Sequence, residues 1–275
     1  VSKVAPKMKS TARRLYYIYA FLTVLEMVFL LAGGCPLFDT ITTAFGTAGT
    51  GGFGVRNDSF MSFSPYIQWV VSIFMIIFGV NFNFYYLILF LHFKKAFSIE
   101  EVKYYFLIIL SAIAIIFFSI RNMFTSDFEA ITHTTFQVAS IISSTGYSSA
   151  DFNLWPDVCK VVLTILMFVG ACAGSTGGGI KVTRLVVLVK TVAKELRSYI
   201  HPKRISKVNL DGKPVEHEVV RAINVFYITF TLIFFSSVLL ISIENYDFAT
   251  NFTSVLATMN NIGPGLSLVG PTSNF

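Results

Sequence analysis

Long apolar runs alternate with short ones along this chain. Runs at residues 15–32, 66–91, 104–120 and 219–243 are each long enough to cross about 30 Å of hydrocarbon as a helix, and a fifth, from 158 to about 192, is interrupted by glycines. Between them lie apolar stretches of about 10 to 14 residues, the length of re-entrant segments rather than spans. Each short stretch ends the same way. Residues 40–45 lead into Thr47-Ala48-Gly49-Thr50-Gly51-Gly52-Phe53, residues 136–142 into Ser143-Ser144-Thr145-Gly146-Tyr147, and residues 255–259 into Asn260-Asn261-Ile262-Gly263-Pro264-Gly265. Aligned on Gly51, Gly146 and Gly263, each unit is a short buried helix, two or three small polar residues, then glycine, a recurrence that marks an internal repeat. The pattern predicts an all-α integral membrane protein whose long helices frame three re-entrant loops.

Composition agrees with that class. Of 275 residues, 54% are apolar, 16% aromatic and 13% charged, too greasy for a soluble domain of this length. The net charge of +6 would suit a nucleic-acid partner, but its distribution excludes one. Lys3, Lys7, Lys9, Arg13 and Arg14 precede the first run, Lys94, Lys95 and Lys103 separate the second and third, and Lys190, Lys194, Arg197, Lys203, Arg204, Lys207, Lys213 and Arg221 follow the fifth. The segments flanking the glycine loops instead carry Asp39, Asp58, Asp127, Glu129, Asp151, Asp157, Glu244 and Asp247. By the positive-inside rule the lysine-rich ends are cytoplasmic and the loops dip in from outside. An acidic outer mouth concentrates cations. Cys35, Cys159 and Cys172 have neither disulfide-framework nor metal spacing and read as small apolar packers.

Several single residues carry expectations of their own. Glu26, within the first span, should face protein or water, held by a structural hydrogen bond. Pro65 should open the helix 66–91, and Asn81 and Asn83 should seek partners across helices. Phe97-Ser98-Ile99-Glu100-Glu101 has the look of a capped helix start on the cytoplasmic side. His133 reads as hydrogen-bonded structure, and Trp155-Pro156 as a marker of the outer interface. A continuous helix over 158–190 would be about 50 Å long, so the run Gly170-Ala171-Cys172-Ala173-Gly174-Ser175-Thr176-Gly177-Gly178-Gly179 should break it, with the broken backbone facing protein or water. Lys181 and Arg184 place that break toward the cytoplasmic half. Residues 198–215 form a soluble insert with a hairpin turning at Asp211-Gly212. The division that follows is a basic segment (1–14), a helix-loop-helix repeat (15–91), a second repeat with a broken helix (98–197, loop 171–181), the insert (198–218) and the start of a further repeat (219–275). The chain begins without methionine and stops after the third loop, so it is expected to be part of a longer polypeptide with a fourth loop.

The chemistry of such loops is ion dehydration. A ring of backbone carbonyls can replace the water shell of a potassium ion without charged side chains, and the partly negative C-terminal ends of the short helices point toward the cation. Two nucleotide motifs fail on context. Gly49-Thr50-Gly51-Gly52-Phe53-Gly54 matches GxGxxG but follows a buried helix instead of a strand. Gly174-Ser175-Thr176-Gly177-Gly178-Gly179-Ile180-Lys181 misses the phosphate loop by one residue and lacks the hydroxyl residue after lysine. No enzyme is expected.

The three glycine loops, the Ala173-to-Lys181 run and the insert from His201-Pro202 to Val215 resemble the Trk/Ktr/HKT superfamily of potassium transporters, closest to the TrkH type, over essentially the whole chain. The resemblance implies pseudo-fourfold M1-P-M2 repeats, potassium uptake through a gated pore, and a multi-pass protein of the bacterial inner membrane. It also implies a homodimer regulated by a cytosolic, nucleotide-binding TrkA-type subunit, with potassium as the transported ion and no covalent cofactor. Carried over to this sequence, the filter is Thr50-Gly51, Thr145-Gly146 and Ile262-Gly263, and the gating loop is Gly174, Ser175, Thr176, Gly177, Gly178, Gly179 and Lys181. A sodium-selective or ion-coupled carrier of the same superfamily is the alternative.

Overall fold

A computed structural model describes residues 4–201 and 207–273, with side chains from residue 12 onward. Expectations resting on Lys3, Pro202, Lys203 and Arg204, or on the side chains of Lys7 and Lys9, fall outside that range.

The apolar runs become helices, but not always whole ones. The first helix, α1 (Val4–Ala32), absorbs the basic segment and the first span into one 29-residue rod. It ends at Gly33-Gly34 and gives way to the short α2 (Leu37–Ala48). Ser64 caps α3 (Pro65–Gly79), with Pro65 in its first turn as expected. The helix then stops. At Val80 and Asn81 the chain bends by 92° into α4 (Phe82–Leu89), so the single helix expected over 66–91 is two. The cause is remote in sequence: the Gly79 carbonyl accepts from Cys172 N at 3.0 Å and Phe82 N donates to the Gly174 carbonyl at 3.1 Å. Backbone groups that would have continued the helix are spent on the glycine run instead, and the Asn81 side chain caps α4 through Asn83 N at 2.9 Å.

A short turn of helix, α5 (Phe93–Ala96), leads to α6 (Glu100–Ile120). Its expected local cap is absent. Ser98 Oγ donates back to the Lys95 carbonyl, and the first amide of α6, Glu100 N, is taken by Asp211 Oδ1 at 2.7 Å, from 111 residues away. Helix α7 (Asp127–Ile142), capped by Ser126, is the centre of the molecule, with residues 134–142 all buried. Around it pack α3, α6 and α8 (Asp157–Val169). Trp155, expected at an interface, is buried in the core with Phe152 and Cys159.

The glycine run breaks the fifth apolar stretch as expected, between α8 and α9 (Val182–Ile200). Helix α9 continues to Ile200, so the first residues expected in the insert are helical. Strands β1 (Asn209–Leu210) and β2 (Lys213–Pro214) pair antiparallel around Asp211-Gly212, both with positive φ, as a two-residue hairpin turn requires. The long α10 (His217–Ile241) and the short α11 (Phe248–Met259) complete the order. Among the described residues three helices are long and apolar enough to cross a membrane, at Ala12–Ala32, Glu100–Met123 and His217–Glu244, or four if the bent pair α3–α4 is one span.

Glycine at the α3 terminus has a packing reason. A methyl group on Gly79 would overlap the hydroxyl of the fully buried Tyr105, which donates to the Ile76 carbonyl at 3.2 Å. Gly79→Ala should therefore cost about 1–3 kcal/mol of overpacking, read as a lower unfolding midpoint in detergent. An unchanged midpoint would mean that Tyr105 is free to move.

Candidate ion-conducting site

The three glycine loops share one backbone path. After α2, Thr50 N donates to the Thr47 carbonyl and Gly51 N to Gly46; after α7, Ser144 N donates to Ile141 and Thr145 N to Ser140; after α11, Asn261 N donates to Thr258 and Ile262 N to Ala257. Thr50, Ser144 and Asn261 then hold φ between 49° and 58°, and two residues later Gly52, Gly146 and Gly263 hold φ of 68°, 86° and 108°. The structural register is therefore Gly52, Gly146 and Gly263. Aligning on Gly51 is off by one: Gly51 stands where Thr145 and Ile262 stand, and Thr50 where Ser144 and Asn261 stand. Two adjacent glycines satisfy the sequence pattern equally well, and the sign of φ separates them.

The turns interlock. A side-chain carbon on Gly52 would collide with the Thr145 carbonyl, and one on Gly146 with the Ile262 carbonyl. The carbonyls at the middle of the second and third turns thus lie against the glycine of the turn before them. Gly52, Gly146 and Gly263 line one open cavity of about 360 Å³ with Gly54, Ser148 and Pro264, so the three turns converge on a shared vestibule.

Side chains behind the turns fix them. Ser140 Oγ donates to the Tyr147 carbonyl at 2.6 Å and Gln137 Nε2 to Ala150 at 3.2 Å, so the polar face of α7 holds its own returning strand. Tyr147 OH donates to the Phe53 carbonyl at 3.2 Å, joining the second loop to the first. Asn153 bonds both Ser267 N (2.9 Å) and the Ser267 carbonyl (3.1 Å), joining the second to the third. His133 Nδ1 lies 2.9 Å from Ser149 Oγ, the structural role expected of it. Outside the apolar segments, Asp247 caps α11 by accepting from Thr250 N at 3.1 Å and Thr250 Oγ1 at 2.5 Å, which holds its carboxyl below the usual carboxylate range. Glu26 is fully buried, but the expected hydrogen bond is missing. Both of its oxygens lack partners among the described residues, and the hydroxyl of Thr47 beside it is committed to the Thr43 carbonyl.

The glycine run sits directly under the three turns. Thr50 Oγ1 donates to the Thr176 carbonyl at 3.1 Å, and Gly178 N donates to Ser144 Oγ. A side-chain carbon on Gly177 would come within 2.7 Å of the Ser143 carbonyl, and one on Gly178 would meet the Asn260 carbonyl. The run therefore touches the inner end of every loop. It folds back on itself where Lys181 Nζ donates to the Gly177 carbonyl, and Ser175 Oγ to the Cys172 carbonyl. Asn81 and Glu101, not singled out for this region by the sequence, also hold it. No local motif marks Glu101, because it accepts from Ala173 N, 72 residues away, and from Thr183 N, 82 away; Asn81 acts through it, donating to Glu101 at 3.2 Å.

A family model described as TrkH, cation transport protein, matches residues 2–274. This chain belongs to the TrkH family. TrkH relatives include the Trk system potassium uptake proteins TrkH of Halomonas elongata (33% identical over 96% of this chain), Escherichia coli K12 (32% over 98%) and Vibrio parahaemolyticus (34% over 98%). The chain spans 56% of the length of each. A crystal structure of the potassium transporter TrkH from Vibrio parahaemolyticus matches with a TM-score of 0.89 at 30% identity, covering 98% of this chain and 59% of that one. The TrkH assignment makes the chain part of a family of cation transport proteins rather than of enzymes, and a membrane protein built from apolar helices and re-entrant loops.

Proposed function

We propose that this chain supplies three of the loops lining a gated, potassium-selective pore. The observation that carries the reading is the interlock of the turns, in which the carbonyl of Thr145 lies against Gly52 and that of Ile262 against Gly146. Carbonyls presented at neighbouring turns around one vestibule can replace the hydration shell of a cation. The relatives' names, Trk system potassium uptake proteins, point to potassium as that cation. In the corrected register the filter pairs are Gly51-Gly52, Thr145-Gly146 and Ile262-Gly263, with the Thr50 hydroxyl turned to the loop below. The run Gly174, Ser175, Thr176, Gly177, Gly178 and Gly179, closed by Lys181, lies across the inner ends of all three turns and acts as the gate.

Around that pore, residues 15–91, 98–197 and 219–275 act as repeats of a pseudo-fourfold protein, and 198–218 as a cytoplasmic insert. The lysine-rich end of the helices faces the cytoplasm and the vestibule faces outward, in a bacterial inner membrane. The relatives' names place them in a Trk system, and within such a system we propose that this protein works as a homodimer with a cytosolic, nucleotide-binding TrkA-type subunit. The deciding experiment reconstitutes the full-length protein in liposomes and measures potassium flux against rising sodium. We expect a tenfold excess of sodium to leave potassium flux within about twofold, since a carbonyl filter selects by dehydration. Flux carried equally by sodium, or abolished by it, would overturn potassium selectivity.

A further inference from the structure

Glu101 is 4% exposed, and as a carboxylate buried among apolar helices it needs partners. It finds them at both ends of the glycine run. Glu101 Oε1 accepts from Ala173 N at 2.5 Å, before the run, and from Thr183 N at 3.2 Å, after it. Its other oxygen accepts from Asn81 Nδ2 at 3.2 Å. Thr183 lies in the first turn of α9, whose N-cap, Lys181, supplies no side-chain acceptor of its own. One carboxylate from a different helix thus serves as the missing cap of α9 and pins the entry of the loop to its exit.

The residue before it faces the other way. Glu100 N donates to Asp211 Oδ1 in the hairpin turn, and the Glu100 carboxylate pairs with Lys190 of α9, whose Nζ also donates to the Asn209 carbonyl at 2.9 Å. Consecutive residues in the first turn of α6 therefore bind the hairpin and the intramembrane loop.

We propose that Glu101 is a positioning residue that latches the loop of residues 174–179 beneath the pore, and that the Asp211 hairpin bears on the latch through Glu100. The proposal rests on the gating role assigned to the loop. A carboxylate shared by two backbone amides makes charge-assisted bonds about twice as strong as neutral ones, so the latch sets how readily the loop leaves its seat. Displacing the hairpin loosens the first turn of α6 and, with it, the carboxylate.

The test uses the full-length protein in liposomes and reads two quantities, potassium flux and hydrogen exchange over residues 170–184. Glu101→Ala should raise flux by about tenfold or more, speed exchange at Ala173 and Thr183, and leave α7 protected. Glu101→Gln keeps one acceptor oxygen without the charge, so both effects should be intermediate; it also keeps the test open if the alanine variant does not insert. Asp211→Asn should raise flux by a smaller factor. In a protein lacking residues 174–179, Glu101→Ala should add nothing. Unchanged exchange at Ala173 and Thr183 in both Glu101 variants would overturn the latch, as would an equal rise in flux with and without the loop. If deleting the loop alone leaves flux unchanged, the gate reading falls, while the exchange measurement still decides whether Glu101 holds the loop.

Discussion

Gly52→Ala in the full-length protein is expected to lower potassium uptake by about a hundredfold or more, while Gly51→Ala stays within about threefold of the parent. The two glycines are neighbours with different surroundings. At Gly52, φ is 68°, a region that costs a residue with a side chain about 1–2 kcal/mol, and the added carbon would push directly on the Thr145 carbonyl. In the proposed filter that carbonyl lines the ion path, so moving it changes the path. At Gly51, φ is not positive, and the added carbon would meet the ring of Phe53 at 3.1 Å. Phe53 is 83% exposed and can swing aside. Uptake of rubidium or potassium by cells lacking other uptake systems, normalised to protein in the membrane fraction, gives the answer. Equal losses in the two variants, or the reverse order, would remove Gly52 from the filter and return the register to Gly51.

Removing residues 174–179 should have the opposite sign. The segment contacts Thr50, Ser143, Ser144 and Asn260, so it occupies the space an ion would cross after leaving any of the three turns. Its own bonds are to backbone groups, small hydroxyls and the Lys181 ammonium, and α8 and α9 are complete helices on either side of it. Deletion should raise cation flux into liposomes by about tenfold or more, equivalent to removing at least about 1.4 kcal/mol of closure. Flux at the parental level would mean that the run is structural packing. A rise carried by sodium as well as potassium would mean that the loop contributes to selectivity.

The parts of this architecture legible from sequence are those decided by local pattern. Short apolar helices ending in small residues, the glycine run that cannot continue a helix, Pro65 at a helix start and Asp211-Gly212 at a hairpin all follow from neighbours within a few residues. What was hidden depends on distant partners. The stretch from Tyr66 to Leu91 is apolar enough for one helix, but amides and carbonyls near Cys172 and Gly174 claim the backbone at its middle. The start of α6 resembles a self-capped helix, yet the acceptor comes from Asp211. Trp155 has the composition of an interface and the burial of a core residue. The register of the glycine turns is hidden for a different reason: a doubled glycine carries the same letters whichever copy bears the positive φ.

The interlock of the turns runs in one direction, each glycine accommodating the oxygen of the turn that follows. A distortion in the third loop would therefore be handed back to the second and then to the first, while the first has no comparable grip on the third. Errors in such a series accumulate toward its opening member. Small residues should consequently be least replaceable at Gly146, which both receives a neighbour's oxygen and lies next to one that must stay fixed for Gly52.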